Sequence, residues 1–327
     1  MSDTHGVLVH HHGGPEVLEY GPLPVRDPAP GEVRVRQQAI GLNYADIYQR
    51  QGEAGPHATG QFPFIPGSQG AGVVEAVGPG VQRLRVGDSV GYIHGATYAD
   101  AVCVPEDRAV LLPPSLPVEL AAAFLLRGLT AEYLLHRLHA VQPGEAILVH
   151  AAAGGMGEVL GQWGRALGAT VIGTVGGTAK FDTARAHGCH HVVDYRKPGW
   201  ADEVNALTNG EGVAVVYDAV GKDVFVDSLA CLRTRGLAIN YGTASGNVEG
   251  FALQRLHAKS LSVCRPTLRS FIAKPDELAA AAARFVQAIE NGWLRLAVSR
   301  RYALRDVQQA HADLAARVTT GAAILVP

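Results

Sequence analysis

The run Ala146-Ile147-Leu148-Val149-His150-Ala151-Ala152-Ala153-Gly154-Gly155-Met156-Gly157 constrains this chain more than any other. An apolar strand leads into a glycine cluster, and Met156–Leu167 continues with helical spacing. From there strand-like and helical stretches alternate: Thr170–Val175, Ala179–His187, His191–Val193, Ala201–Leu207, Val213–Tyr217, Val224–Leu229 and Leu237–Tyr241, with Leu261–Cys264 as the last strand and a plausible edge. Such alternation belongs to a parallel sheet covered by helices on both faces, so the fold class is α/β with a doubly wound, Rossmann-type sheet. Glycines between a strand and a helix let backbone approach a pyrophosphate, whose charge the free N–H groups and dipole of the helix start stabilise. Gly155-x-Gly157 supplies the first pair of a dinucleotide fingerprint, the expected third glycine falls on Leu160, and Gly161 comes one place later.

The end of the second strand decides which dinucleotide fits. NAD enzymes place an Asp or Glu there against the ribose 2′-OH. This chain reads Gly173-Thr174-Val175-Gly176-Gly177, without a carboxylate, and Lys180 follows. A cation with no acid beside it suits the 2′-phosphate of NADP; the alternative for Lys180 is a solvated helix face.

Before the alternation the pattern differs. Gly6–His10, Glu32–Ile40, Gly72–Val77 and Ser89–Tyr92 are β-rich runs separated by Gly/Pro turns, which favours a partly closed, mainly-β domain. Pro113-Pro114-Ser115-Leu116-Pro117 punctuates the chain, and Val118–His139 reads as helical. The expected organisation is a mainly-β catalytic domain over 1–123, a nucleotide-binding domain over 124–265, and a return to the first domain over 266–327 through a helical pattern at Pro275–Asn291 and a final strand, Ala323–Val326. At 327 residues two domains are the natural expectation. Lys and Arg total 28 against 30 Asp and Glu with no long run of like charge, so no nucleic-acid partner is expected. Cys103, Cys189, Cys231 and Cys264 lack the spacing of a zinc ribbon or redox pair and read as reduced residues. No signal-like or membrane-spanning apolar stretch is evident, so a soluble cytoplasmic protein is expected. His10-His11-His12 reads as a strand end entering a turn rather than a metal site.

Taken together, many motifs in one order resemble the zinc-free quinone oxidoreductase family of medium-chain dehydrogenases/reductases, which includes bacterial NADPH:quinone reductases and zeta-crystallin. The resemblance runs over residues 7–327. It is carried by His12-Gly13-Gly14-Pro15-Glu16-Val17-Leu18, Gly41-Leu42-Asn43-Tyr44-Ala45-Asp46-Ile47-Tyr48, Gly70-Ala71-Gly72-Val73-Val74, Val86-Gly87-Asp88, Leu126-Arg127-Gly128-Leu129-Thr130, the glycine loop, Val216-Tyr217-Asp218-Ala219-Val220-Gly221 and the closing Gly321–Pro327. The resemblance implies a GroES-like catalytic domain and a Rossmann domain with NADPH in the cleft between them. By similarity, Asn43, Tyr48 and Thr130 face the nicotinamide, and Gly154, Gly155, Met156 and Gly157 carry the pyrophosphate. Lys180, Tyr195 and Arg317 surround the 2′-phosphate, Gly176 ends the second strand, and Gly242 lies along the cofactor.

Where zinc-dependent relatives hold a catalytic metal, this chain has Asn43-Tyr44, Gly67-Ser68-Gln69 and Phe124-Leu125-Leu126-Arg127, and the four-cysteine structural lobe is missing, so no metal is expected. A quinone, which accepts hydride or electrons directly, is therefore the expected small-molecule substrate. Asn43 and Tyr48 are the expected orienting groups, with Asp46 holding the segment's shape. Two alternatives are an NADPH-dependent alkenal or enone reductase and a low-turnover, crystallin-like NADPH-binding protein. Relatives often carry Tyr-Pro where this chain has Gly52-Glu53-Ala54-Gly55-Pro56-His57, which counts against enoyl reduction and leaves His57 as a substitute donor or a loop residue without a role. The resemblance also implies a homodimer joined through edge strands.

Overall fold

The structure, a computed structural model, describes residues 4–52, 61–316 and 318–327. Thr4–Leu8 (β1) pairs with Glu19–Leu23 (β2). Glu32–Gly41 (β3) shows why its sequence makes a strand: Val33, Val35 and Gln37 alternate inward, and Gln37 reconciles its buried amide by donating to Thr97 O at 2.6 Å and accepting from the Tyr92 hydroxyl. A short helix, Tyr44–Gln51 (α1), follows, then Gln69–Val77 (β4), Ser89–Ile93 (β5), Ala101–Pro105 (β6), Ala109–Leu111 (β7) and the helix Val118–Glu132 (α2). The sequence pattern suggests only strands before Val118, where the expected helical stretch begins, so α1 is the helix it misses. The signal for α1 lies in its ends, Asn43 and Asp46 at the N-cap and N3 positions and Gly52 in the left-handed conformation after its last turn. A π-helical turn, Tyr133–Leu138, extends α2.

The next stretch holds Ala146–Val149 (β8), Gly155–Ala166 (α3), Thr170–Val175 (β9), Phe181–Ala186 (α4), His191–Asp194 (β10), Trp200–Leu207 (α5), Val213–Asp218 (β11), Phe225–Cys231 (α6), Leu232–Asn240 (β12) and Ser262–Cys264 (β13). The sheet order is β10-β9-β8-β11-β12-β13, every neighbour parallel. This is the doubly wound order 3-2-1-4-5-6, whose direction of winding reverses between β8 and β11 and opens a ligand crevice at the carboxyl ends there. Its strands are apolar because both faces are covered; Leu148, Ile172, Val193, Val216 and Ala238 share one buried cluster with Trp200, Phe225 and Leu229. β12 starts five residues before its apolar run at Leu237, through an irregular pairing that leaves Arg235 at φ 62°. β13 forms the edge.

The remaining elements are Leu268–Phe271 (α7), Pro275–Glu290 (α8), Val298–Ala303 (β14), Val307–Ala315 (α9) and Ala322–Val326 (β15). β15 is inserted between β14 and β3, so the second sheet runs β14-β15-β3-β4-β5-β7 with β6 also on β3. Two compact units result: 1–128, 274–286 and 296–327 form the mainly-β unit, and 129–273 with 287–295 form the nucleotide-fold unit. Among the described residues no helix is long and apolar enough to cross a membrane.

Candidate functional site

At the carboxyl end of β8 the chain turns through His150 and Ala151, the latter at φ 54°, and Ala152 donates its N–H to Thr174 O at 3.0 Å. α3 then begins at Gly155 with Gly154 as its N-cap, so the first-turn N–H groups of Gly155, Met156 and Gly157 lack carbonyl partners within the helix and face an anion-binding position. A Cβ on Gly157 would fall inside the backbone of Ala152, and a Cβ on Gly154 would meet nothing nearer than Ala151 O at 3.2 Å. Gly157 thus plays the close-packing part of the third fingerprint glycine and Gly154 the open-backbone part of the second. This corrects the frame expected from the sequence: the motif runs Ala152-x-Gly154-x-x-Gly157, with alanine at the first position, and Gly161 instead packs against His187 O. The loop keeps the bare backbone a pyrophosphate requires.

His150 anchors this turn and was not anticipated. Ser228 Oγ donates to Val224 O at 2.6 Å, so it accepts from His150 Nε2 at 2.8 Å, leaving Nδ1 as acceptor for the Thr174 hydroxyl at 2.6 Å. The imidazole is fully buried, and burial pushes its pKa down to about 3. A lone histidine in the sequence gave no sign of this, because its partners are 24 and 78 residues away.

Gly176 and Gly177 follow β9, and Lys180 closes the short turn Thr178–Lys180 with its N–H on Gly177 O at 3.1 Å. Tyr195 leaves β10 beside them: its N–H donates to Val175 O at 3.1 Å, and its hydroxyl lies 2.8 Å from where a Cβ on Gly176 would stand. Three of the expected residues of the adenosine end are therefore neighbours; Arg317 and His57 lie outside the described residues. At the exits of β11 and β12, Asp218 accepts from the N–H groups of Val220 and Gly221 at 2.7 and 3.0 Å and from Asn240 Nδ2 at 2.8 Å, while Asn240 also donates to Gly242 O at 2.9 Å. Burial raises Asp218 to about 6 against these hydrogen bonds. Gly242 is held at the crevice rim by that pair. Thr130, on α2, is 7% exposed.

In the mainly-β unit, Asn43 is buried and its Nδ2 has no hydrogen-bond partner among the described residues, a donor left over for a ligand. Asp46, fully buried, accepts from the Asn43 N–H at 2.8 Å, Ser68 Oγ at 2.7 Å and the Tyr98 hydroxyl at 3.1 Å. Burial raises it to about 6, against those hydrogen bonds and the nearby Arg127 cation. Tyr98 reaches in turn to His311 Nε2 at 2.9 Å. Tyr48 stands half-buried one turn beyond Tyr44, the two rings 6.1 Å apart. Two of the three places where zinc-dependent relatives carry ligands hold groups bonded to the protein, Ser68 to Asp46 and Gln69 Oε1 to the Leu126 N–H at 2.7 Å in one, Arg127 to the carbonyls of Ala123 and Leu42 in the other, and the third holds Asn43. Among the described residues no group of three or more His, Cys, Asp or Glu could hold a metal ion.

Residues 29–141 match the model of the alcohol dehydrogenase GroES-like domain, and residues 155–288 match that of the zinc-binding dehydrogenases. The chain is 45% identical over 319 residues to a quinone oxidoreductase of Pseudomonas aeruginosa, covering 97% of both chains. The chain belongs to the quinone oxidoreductase family of the zinc-free medium-chain dehydrogenases/reductases. Another relative of this oxidoreductase, a 2-haloacrylate reductase of a Burkholderia species, is 39% identical over 326 residues, 98% of each chain. The quinone oxidoreductase of Escherichia coli, solved in complex with NADPH, superposes on it with a TM-score of 0.93 at 38% identity, covering 99% of this chain and all of that one. This member of the quinone oxidoreductase family accordingly combines a GroES-like domain with the Rossmann domain of a nicotinamide-dependent dehydrogenase.

Proposed function

We propose that this oxidoreductase reduces quinones with NADPH, without a metal. The observation that carries the reading is that the zinc positions hold Asn43, Ser68, Gln69 and Arg127, with Ser68, Gln69 Oε1 and Arg127 bonded to protein groups, a set without a Cys, His or carboxylate ligand, which suits an acceptor that takes up hydride without a Lewis acid. Bound NADPH would supply that hydride. The backbone of Gly154, Gly155, Met156 and Gly157 would hold the pyrophosphate, Gly176 and Gly242 would leave room along the dinucleotide, and Lys180 and Tyr195 would bind the 2′-phosphate, joined by Arg317 on the family resemblance alone. Asn43 and Thr130 orient the nicotinamide end, Asn43 through its unused Nδ2. Tyr48 donates to the acceptor oxygen. Asp46 touches neither; it positions Asn43 by holding the start of α1. A quinone would take the hydride that the bound cofactor supplies together with a proton from solvent, and leave as hydroquinone.

The test is a steady-state panel of NADPH and NADH against quinones and α,β-unsaturated carbonyls. Quinone turnover with NADPH, unaffected by chelators, is expected. Faster enone reduction would replace the reading with the alkenal one, and tight NADPH binding without turnover would replace it with the crystallin-like one. Asn43→Ala with Tyr48→Phe is expected to lower kcat/KM by about 100-fold. We also infer a cytoplasmic homodimer paired along the β13 edge, since an open edge strand invites a partner. Sedimentation at micromolar concentration should give twice the 34.4 kDa chain mass, and a species of 34.4 kDa would refute it.

A further inference from the structure

The parallel register sets Asp194 opposite Val175, and the chain leaving β10 therefore passes directly over the end of β9, on the carboxyl edge of the sheet where ligands bind. Gly177 has φ 120°, and a Cβ there would overlap Nη2 of Arg196. The Arg196 guanidinium thus lies over the bare backbone at the place where an NAD-selective enzyme presents a carboxylate to the ribose. It is held from behind. The Arg196 N–H donates to Asp194 Oδ1 at 3.0 Å, and its Nε lies 3.6 Å from the same oxygen. Asp194 is 8% exposed, whereas the arginine side chain remains 63% exposed, so the pair turns its positive end toward solvent. A planar fork of donors carrying a permanent charge matches the oxygens of a phosphate monoester, and this one stands next to Tyr195.

We propose that Arg196 determines the choice of NADPH over NADH by binding the 2′-phosphate at the Gly176–Gly177 corner. The proposal rests on the reading of Gly154–Gly157 as a dinucleotide loop, and it adds a specificity residue from a loop that the spacing of the fingerprint does not reach. Gly177 is part of the device, since any side chain there would displace the guanidinium.

Equilibrium titration of NADPH and NADH by fluorescence, with 2′,5′-ADP and 5′-ADP as displacing probes, tests it on the purified wild-type chain, Arg196→Ala and Arg196→Lys. Arg196→Ala should bind NADPH and 2′,5′-ADP about tenfold more weakly, a figure kept modest because the group is solvent-screened, with NADH and 5′-ADP changed by less than about twofold. Arg196→Lys, which keeps the charge and loses the fork, should fall between, and the salt dependence of NADPH binding should flatten in the alanine variant. Unchanged NADPH preference in Arg196→Ala would reduce Arg196 to a surface partner of Asp194 and overturn the proposal. Equal weakening of NADPH and NADH would overturn it too, by showing a general effect on the corner. A wild-type chain that binds neither nucleotide would instead overturn the dinucleotide reading itself, a failure visible before any variant is compared.

Discussion

At Asp46 two opposing effects meet in one carboxylate: burial raises its pKa to about 6, while Ser68, Asn43 and Tyr98 donate to its ionised form. Its folded pKa lies above the unfolded value of about 3.9, so the folded state holds the extra proton between those limits. The stability contributed by this group therefore falls as pH rises from about 4 to about 6. Function should move the other way. Once protonated, Asp46 cannot accept all three hydrogen bonds, and the start of α1 loosens around Asn43. An acid limb near pH 6 in kcat/KM for quinone is expected, and it should vanish in Asp46→Asn; a limb that persists unchanged in the variant would assign it elsewhere. His150 has the reverse linkage. Its pKa is held down at about 3, so the stability it contributes is present above about 6.5 and is lost as pH falls toward 3. The difference in unfolding free energy between wild type and His150→Gln should shrink between pH 7 and pH 4 in urea titrations. Neither role was legible in the sequence beyond the expectation that Asp46 shapes its segment. The partners Ser68, Tyr98 and His311 converge from distant parts of the chain, and only folding brings them together.

Elements read from the sequence in proportion to what they bury. The strands and helices between Ala146 and Leu229 announced themselves because a doubly covered sheet demands unbroken apolar strands. β2 and β14 did not: their exposed residues, such as Glu19, Tyr20, Ser299 and Arg300, leave no alternation to recognise. The glycine loop is legible from its context, although the frame read from the sequence lies three places too late, because alanine replaces the first glycine and only the packing of Gly157 on Ala152 reveals the register. Gly157→Val must push α3 away from that backbone. NADPH binding should weaken by at least about 100-fold and stability should drop by about 2–4 kcal/mol, against an effect of under about 1 kcal/mol for the exposed turn position Gly80→Ala if its left-handed backbone relaxes. Thermal melts with and without NADPH would separate the two losses.

For the whole molecule, the family, the fold class and the presence of a nicotinamide site followed from motifs spread over nearly the entire chain. The middle position of β15 did not, since sequence order says nothing about which strand a final segment enters between. Its Ala322, Ile324 and Leu325 are fully buried between β14 and β3. Deleting Ala322–Pro327 should therefore abolish soluble, cooperatively folding protein, because it removes the strand on which β14 depends and exposes the edge of β3. A truncated chain that melts cooperatively and still turns over quinone would contradict this.

The division of the mainly-β unit between the two ends of the chain also has a temporal meaning. During synthesis the nucleotide unit is nearly complete once Ala273 emerges, whereas the mainly-β unit must wait for its last strand. Ribosome-bound chains halted once Ala273 has cleared the exit tunnel should already resist brief proteolysis within 129–273 while residues 4–128 are still cut. The mainly-β unit thus starts before the nucleotide unit and closes after it, and its strand β3 waits for a neighbour that is translated later than the whole of that unit.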